Sequence, residues 1–187
     1  TAKANGGDVN ATIAVTYMTL ANAISSFSSA FTVPANAQVQ NKKSTSKVYY
    51  WTGGGYSYWM TYTELADKYT WKYEYQTPTQ PRFTFISAEE LKTGKQGSWT
   101  IYNPDATSVA DWTYNWSINT SNAFIANLTY KEGNLTTTFD VVVNADKSGS
   151  FIYKESGIKK AEVTWTSTGS GTYWLKGTGT SDISGTW

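Results

Sequence analysis

Apolar residues recur at a helical rhythm along the first part of the chain and at a strand rhythm along the rest. Val9, Ile13, Tyr17, Leu20, Ile24, Phe27 and Phe31 follow one another at intervals of three or four residues. That is the 3.6-residue period of a single apolar stripe, and it predicts a helix over residues 9–31. Asp8 or Asn10 supplies the cap for its first free amides. The helix must end before Pro34, because the proline ring drives Val33 out of helical geometry. Residues 1–8 are small and polar and read as a flexible lead. Residues 32–46 read as a polar connection containing Lys42 and Lys43. The face opposite the stripe carries Ala14, Thr19, Ala21, Asn22, Ser25 and Ser29, and Val9–Asn41 holds no charged side chain. An ordinary surface helix puts lysine and glutamate there, so this one is expected to be shielded on more than one side.

From residue 47 to 187 the period falls to two. Tyr69, Trp71, Tyr73 and Tyr75 alternate with Thr70, Lys72, Glu74 and Gln76. The same pattern recurs through Trp112–Ile118, Phe124–Tyr130, Leu135–Val143, Phe151–Tyr153, Ala161–Trp165 and Tyr173–Leu175. Turn chemistry separates the runs at Gly53-Gly54-Gly55, Ala66-Asp67-Lys68, Pro78 to Pro81, Thr93-Gly94-Lys95, Glu132-Gly133-Asn134, Ala145 to Gly149, Gly157 and Gly169-Ser170-Gly171. Connections this short join antiparallel neighbours, since a parallel pair needs a crossover of about a dozen residues. Ala88–Lys92 reads as a helix of one turn. The likeness between Tyr69–Gly94 and Asp111–Gly133 is that of any two aromatic hairpins, not a repeat.

The expected fold is α+β and mostly β, in one domain. An N-terminal helix packs in or against an antiparallel meander of about ten to twelve strands, curled into a barrel or half-barrel to bury its aromatic face. Strands of this length, ~27–33 Å, match a helix of ~35 Å. Asp182–Trp187 is expected to form a last strand that covers an edge. In layout alone, a curved sheet over a helix, this expectation resembles the LolA-type lipoprotein carriers.

Composition mainly removes chemistries. There is no Cys and no His, which excludes thiol nucleophiles, imidazole acid–base work and nearly all zinc, copper and haem sites. No cofactor is implied. Fifteen basic and fourteen acidic residues are spread without blocks, and Arg82 is the single arginine. Nucleic acid is therefore not an expected partner, because phosphate binding needs clustered cations. The helix is too rich in Thr, Ser and Asn for a membrane span. Aromatic residues match charged residues at 16% each, against about 25% charged in ordinary soluble domains. That balance leans toward an exported bacterial β-protein of the periplasm, cell surface or medium. A signal would then have been removed before Thr1, and a lipoprotein would carry its lipid anchor at that lost N-terminus.

The densest aromatic stretch surrounds the glycine turn: Tyr49, Tyr50, Trp51, then Tyr56, Tyr58 and Trp59. Trp51, Tyr56, Tyr58 and Trp59 are the candidate ligand-binding residues, placed to stack on a sugar ring or hold an apolar ligand. The competing reading sends them into the core, as in every other strand, and the even aromatic density favours it. Asp105 and Asp111 flank a polar connection and offer oxygens for calcium, but two carboxylates are few for that ion. Glu89-Glu90 offers carboxylates for glycoside hydrolysis, which requires convergence from separate elements. Lys42-Lys43 and Lys159-Lys160 read as solvated pairs. No P-loop, Rossmann, GxSxG or metal-ligand signature occurs.

The leading expectation is a non-catalytic exported domain, lipoprotein-like, that binds a hydrophobic ligand such as a lipid or serves a structural, accessory role. The alternatives are a carbohydrate-binding module presenting Trp51, Trp59 or Trp112, and an outer-membrane barrel. Several runs fall short of the 9–11 residues a membrane strand needs, and the aromatics are not confined to two girdles.

Overall fold

A computed structural model describes residues 33–187 except Asp105 and Thr180. The predicted lead over 1–8 and helix over 9–31 lie outside the described residues. Among the described residues thirteen strands form one antiparallel meander, each hydrogen-bonded to its neighbours in sequence. They are β1 Gln38–Lys42, β2 Ser46–Gly53, β3 Tyr56–Glu64, β4 Lys68–Gln76, β5 Phe83–Leu91, β6 Gln96–Asn103, β7 Ala106–Ile118, β8 Phe124–Glu132, β9 Leu135–Val143, β10 Gly149–Glu155, β11 Ile158–Trp165, β12 Gly171–Leu175 and β13 Ile183–Thr186. The strand order ends at β1 on one side and β13 on the other. The sheet is open, so the closed-barrel alternative is not the fold.

Three local expectations are corrected. β1 lies inside the stretch read as a connection. Its one apolar residue, Val39, gives no alternation to read, and its order comes from pairing with β2 across a bulge between Val39 and Asn41. Ala88–Lys92 is not a helical turn, because β5 runs through it to Leu91, paired with β4 and β6 on its two sides. Good helix formers yield here to a ladder on both edges. The stretch from Ala106 to Asp111, read as part of a long connection after Asn103, is strand, since β7 begins at Ala106 and Asp111 lies within it.

The described residues form two compact units that divide within β7, one over 33–115 and one over Trp116–Trp187. In the first, the turn Gly54-Gly55 carries φ of 61° and 83°, the paired left-handed geometry that a two-residue hairpin favours. One face of this unit is the aromatic one. Trp51 pairs with Tyr58 and Tyr58 with Tyr75, and beside them Tyr49, Met60 and Tyr73 are aligned. Met60, Phe83, Trp99 and Tyr114 are its buried core. A bulge in β5 between the partners of Tyr73 and Glu74 brings both Phe83 and Phe85 against Tyr75, at 4.2 and 5.6 Å between ring centroids.

In the second unit, three cross-strand rows share the apolar face. Ala126, Val141, Phe151, Val163, Tyr173 and Gly185 form the middle row, with Phe151 and Val163 fully buried. Leu128, Phe139, Tyr153, Ala161, Leu175 and Ile183 form the second. The third runs Phe124, Val143, Gly149, Trp165, Gly171 and continues to Trp187, which exchanges both backbone hydrogen bonds with Gly171. The turns at this end of the strands are built alike. Asn119, Asn144 and Thr166 each accept a backbone bond from a residue of positive φ three places on: Asn122 at 57°, Lys147 at 71° and Gly169 at 90°. The turn at Asn144 and the turn at Thr166 also share a Trp–Gly contact. The Trp165 indole donates to the Lys147 carbonyl and covers Gly149, and the Trp187 indole donates to the Gly169 carbonyl and covers Gly171.

Candidate functional site

The candidate residues around the glycine turn divide between the two faces of the sheet, because neighbours along a strand point to opposite sides. Trp51, Tyr56 and Tyr58 share the aromatic face. Trp51 stacks on Tyr58 at 5.6 Å and meets Tyr73 edge-on at 5.5 Å. Tyr56 and Tyr58 each lie 6.4–6.5 Å from Tyr75. These rings are one another's packing partners, and of the three Tyr56 is the most open to solvent, at 40%. Trp59 is on the opposite face beside Tyr50, at 5.3 Å. The guanidinium of Arg82 lies over it, 4.2 Å from the ring centroid. Trp51 and Trp59 therefore do not form a common aromatic platform.

Arg82 is held there by Glu74, with Nη2 donating to Oε2 at 2.6 Å. Lys72 reaches the other carboxylate oxygen at 3.2 Å. Glu74 is 7% exposed. Burial pushes its pKa up, but the hydrogen bonds and charges of Arg82 and Lys72 outweigh that and hold it below the ordinary carboxylate value. The chain of contacts Trp59–Arg82–Glu74–Lys72 ties a half-exposed lysine ammonium to the buried carboxylate on the polar face.

Next to that lysine the polar face carries a groove of about 450 Å³. Register makes its floor. One cross-strand row reads Thr63, Thr70, Glu89, Ser98, and the adjacent row reads Thr61, Lys72, Ser87, Thr100. Thus β3, β4, β5 and β6 each contribute two side chains, and Trp71 and Ala88 also line the groove. Ser87 hydrogen-bonds the Tyr102 hydroxyl at 3.0 Å, which joins an aromatic ring to the floor. Glu89 accepts from Lys68 at 2.7 Å, and that bond lifts the Lys68 amine above its ordinary pKa.

The groove suits hydrogen-bonding recognition. Each hydroxyl both donates and accepts, Lys72 donates only, and Glu89 accepts only. Paired-carboxylate chemistry lacks its geometry here. Glu89 aligns with Thr70 and Ser98, while Glu90 aligns with Tyr69 and Gly97 on the other face, so the two adjacent glutamates cannot converge on one bond. Among the described residues no cluster of three or more acidic side chains could hold a metal. Asp111 instead accepts from Asn103 at 3.3 Å; Asp105 is outside the described residues. Lys159 and Lys160, read as solvated, pair with Glu162 and Glu155.

Alternation along β4 puts Thr70, Lys72 and Glu74 on one face but does not reveal a groove there. The alternation was the available signal. The missing element was register, which lays Thr61 and Thr63, Ser87 and Glu89, and Ser98 and Thr100 alongside them. No helix among the described residues is long and apolar enough to cross a membrane. No protein-family model, no curated protein and no solved structure matches the chain. The expected resemblance in layout to LolA-type carriers gains no support from these comparisons.

Proposed function

We propose that the chain is an exported, non-catalytic binding domain whose ligand is a glycan held on the polar face of β3–β6. The observation that carries this reading is the 450 Å³ groove floored by two aligned rows of hydroxyl side chains, with Lys72 and Glu89 set among them. A polyhydroxylated ligand exchanges its water for such a surface group by group, since every partner it meets is a donor, an acceptor or both. Each bond contributes about 0.5–1.5 kcal/mol net, so affinity is modest and rests on several bonds at once. An apolar ligand gains little from this floor. The aromatic face, the other candidate, spends its rings on contacts with one another.

The lining supports binding without turnover. Its one carboxylate, Glu89, is committed to Lys68, and glycoside hydrolysis in its common form needs a facing pair. The test is a glycan panel followed by titration of hits on the wild type and on Thr100→Arg. That substitution places a long cation in the groove from a half-exposed position. Loss of binding with unchanged thermal unfolding is the expected result. Absence of any glycan ligand, or equal binding by Thr100→Arg, overturns the reading.

A further inference from the structure

The two edges of the sheet are finished differently. β1 carries a bulge between Val39 and Asn41, followed by Lys43, and bulges and lysines are the usual means by which an edge refuses another strand. β13 has neither. Its sequence, Ile183-Ser184-Gly185-Thr186, contains no charge, no proline and no register shift against β12. Among the described residues nothing pairs with its outer side.

The ladder fixes which groups β13 presents. Trp187 and Gly171 exchange both backbone bonds, so in an antiparallel pair the inward-bonding positions are 187, 185 and 183. The N–H and C=O groups of Ser184 and Thr186 therefore point away from β12. A second β13 laid antiparallel about a two-fold axis at Gly185 places Ser184 opposite the partner's Thr186, and the reverse. All four outward residues then exchange their bonds. On the polar face the aligned side chains are hydroxyls. On the apolar face the small Gly185 meets its own copy, and Ile183, 42% exposed, meets the partner's Trp187. Aliphatic–aromatic cross-strand pairs of this kind are favourable. Trp187 leaves room for it, because its indole leans back over Gly171. The nearest charged pair, Lys176 with Asp182 at 3.1 Å, lies outside the matched register.

We propose that β13 is a self-association edge, through which two copies of this chain join their sheets antiparallel about Gly185. A strand this short gives a small interface, so the dimer is weak and reversible. Such an isologous contact closes on itself and does not propagate.

Sedimentation velocity of the 187-residue chain over about two decades of concentration, up to roughly 500 µM, the range in which a weak contact populates, tests the proposal. A reversible monomer–dimer transition is expected. Ser184→Pro removes an outward donor while leaving the β12 ladder intact, and is expected to weaken dimerisation at least about tenfold with an unchanged thermal midpoint. A chain that stays monomeric throughout, or a dimer indifferent to Ser184→Pro, overturns it. Register is read separately, and the absence of native cysteine makes that clean. Chains carrying Ser184→Cys mixed with chains carrying Thr186→Cys are expected to cross-link with each other in preference to themselves. Equal self-cross-linking overturns the Gly185 axis.

Discussion

The Trp165 indole packs so closely on Gly149 that a Cβ at position 149 would collide with the ring and with the Val142 carbonyl oxygen. Glycine is thus required there by space, not by backbone dihedral, since its φ is not in the left-handed region. Gly149→Ala is expected to destabilise the chain by about 1–3 kcal/mol, the usual cost of overpacking. The matching contact of Trp187 makes Gly171→Ala similar in sign. Urea unfolding reads both, as a lower midpoint at unchanged slope. Trp165→Ala combined with Gly149→Ala should cost less than the sum of the two changes made singly, because the ring's share of the collision disappears while the Val142 carbonyl's share stays.

Phe151 and Val163 sit opposite each other, fully buried, in the middle row of the second unit. Truncating Phe151 to alanine is expected to cost about 3–5 kcal/mol. The same truncation at Ile158, which is 60% exposed, should fall within about 0.5 kcal/mol. Equal effects at the two sites would mean that this face is not the core.

Glu74 makes stability depend on acid. Its folded-state pKa is depressed below 4.5 by Arg82 and Lys72 despite burial. The folded state therefore binds a proton less readily than the unfolded chain. Its contribution is complete above the unfolded carboxylate value and disappears as pH falls through the folded one. Glu155 and Asp182 are depressed as well, the first by bonds from Tyr153 and Lys160, the second by bonds from the Gly177 amide and Lys176. The unfolding midpoint should drop between about pH 5 and pH 3. Glu74→Gln should start lower at pH 7 and lose less over that interval. A parallel decline in both proteins would remove Glu74 from the account.

Tyr114 acts at the other end of the scale. Burial pushes its phenol up to about 12, while the unfolded value stays near 10. Stability from this group is complete below the unfolded value and is lost as pH rises through the folded one. Tyr114→Phe, which keeps the stacking on Trp99 at 5.4 Å, should flatten the decline between about pH 10 and 12. Ultraviolet titration of tyrosinate absorbance checks this directly.

Much of the sheet was legible because burial on one face forces alternation. Tyr69, Trp71, Tyr73 and Tyr75 lie on one side of β4, as their spacing requires, and the turns at Gly54, Gly133 and Gly157 take positive φ. Strand β1 was not legible. An edge strand with one apolar residue is held by its neighbour's backbone, which leaves no mark in side-chain pattern. The segment Ala88–Lys92 misled because helix propensity is a local quantity and pairing on two sides is not. The groove was half legible. Its residue types stand in the sequence, but the rows that assemble them depend on register, including the bulge in β5. The Trp–Gly seats were missed for a related reason: a ring reaching across to the neighbouring strand has no signature along the chain.

The linear strand order carries a kinetic consequence. Every ladder joins elements adjacent in the chain, so each new strand needs only a short loop closed before its contacts form. Most antiparallel proteins fold slowly because distant segments must meet first. Here growth can begin at any hairpin and spread in both directions, as in a repeat array. Amide exchange should accordingly be slowest in interior strands such as β10 and fastest at β1 and, in the monomer, at β13, with fraying that enters from the two ends.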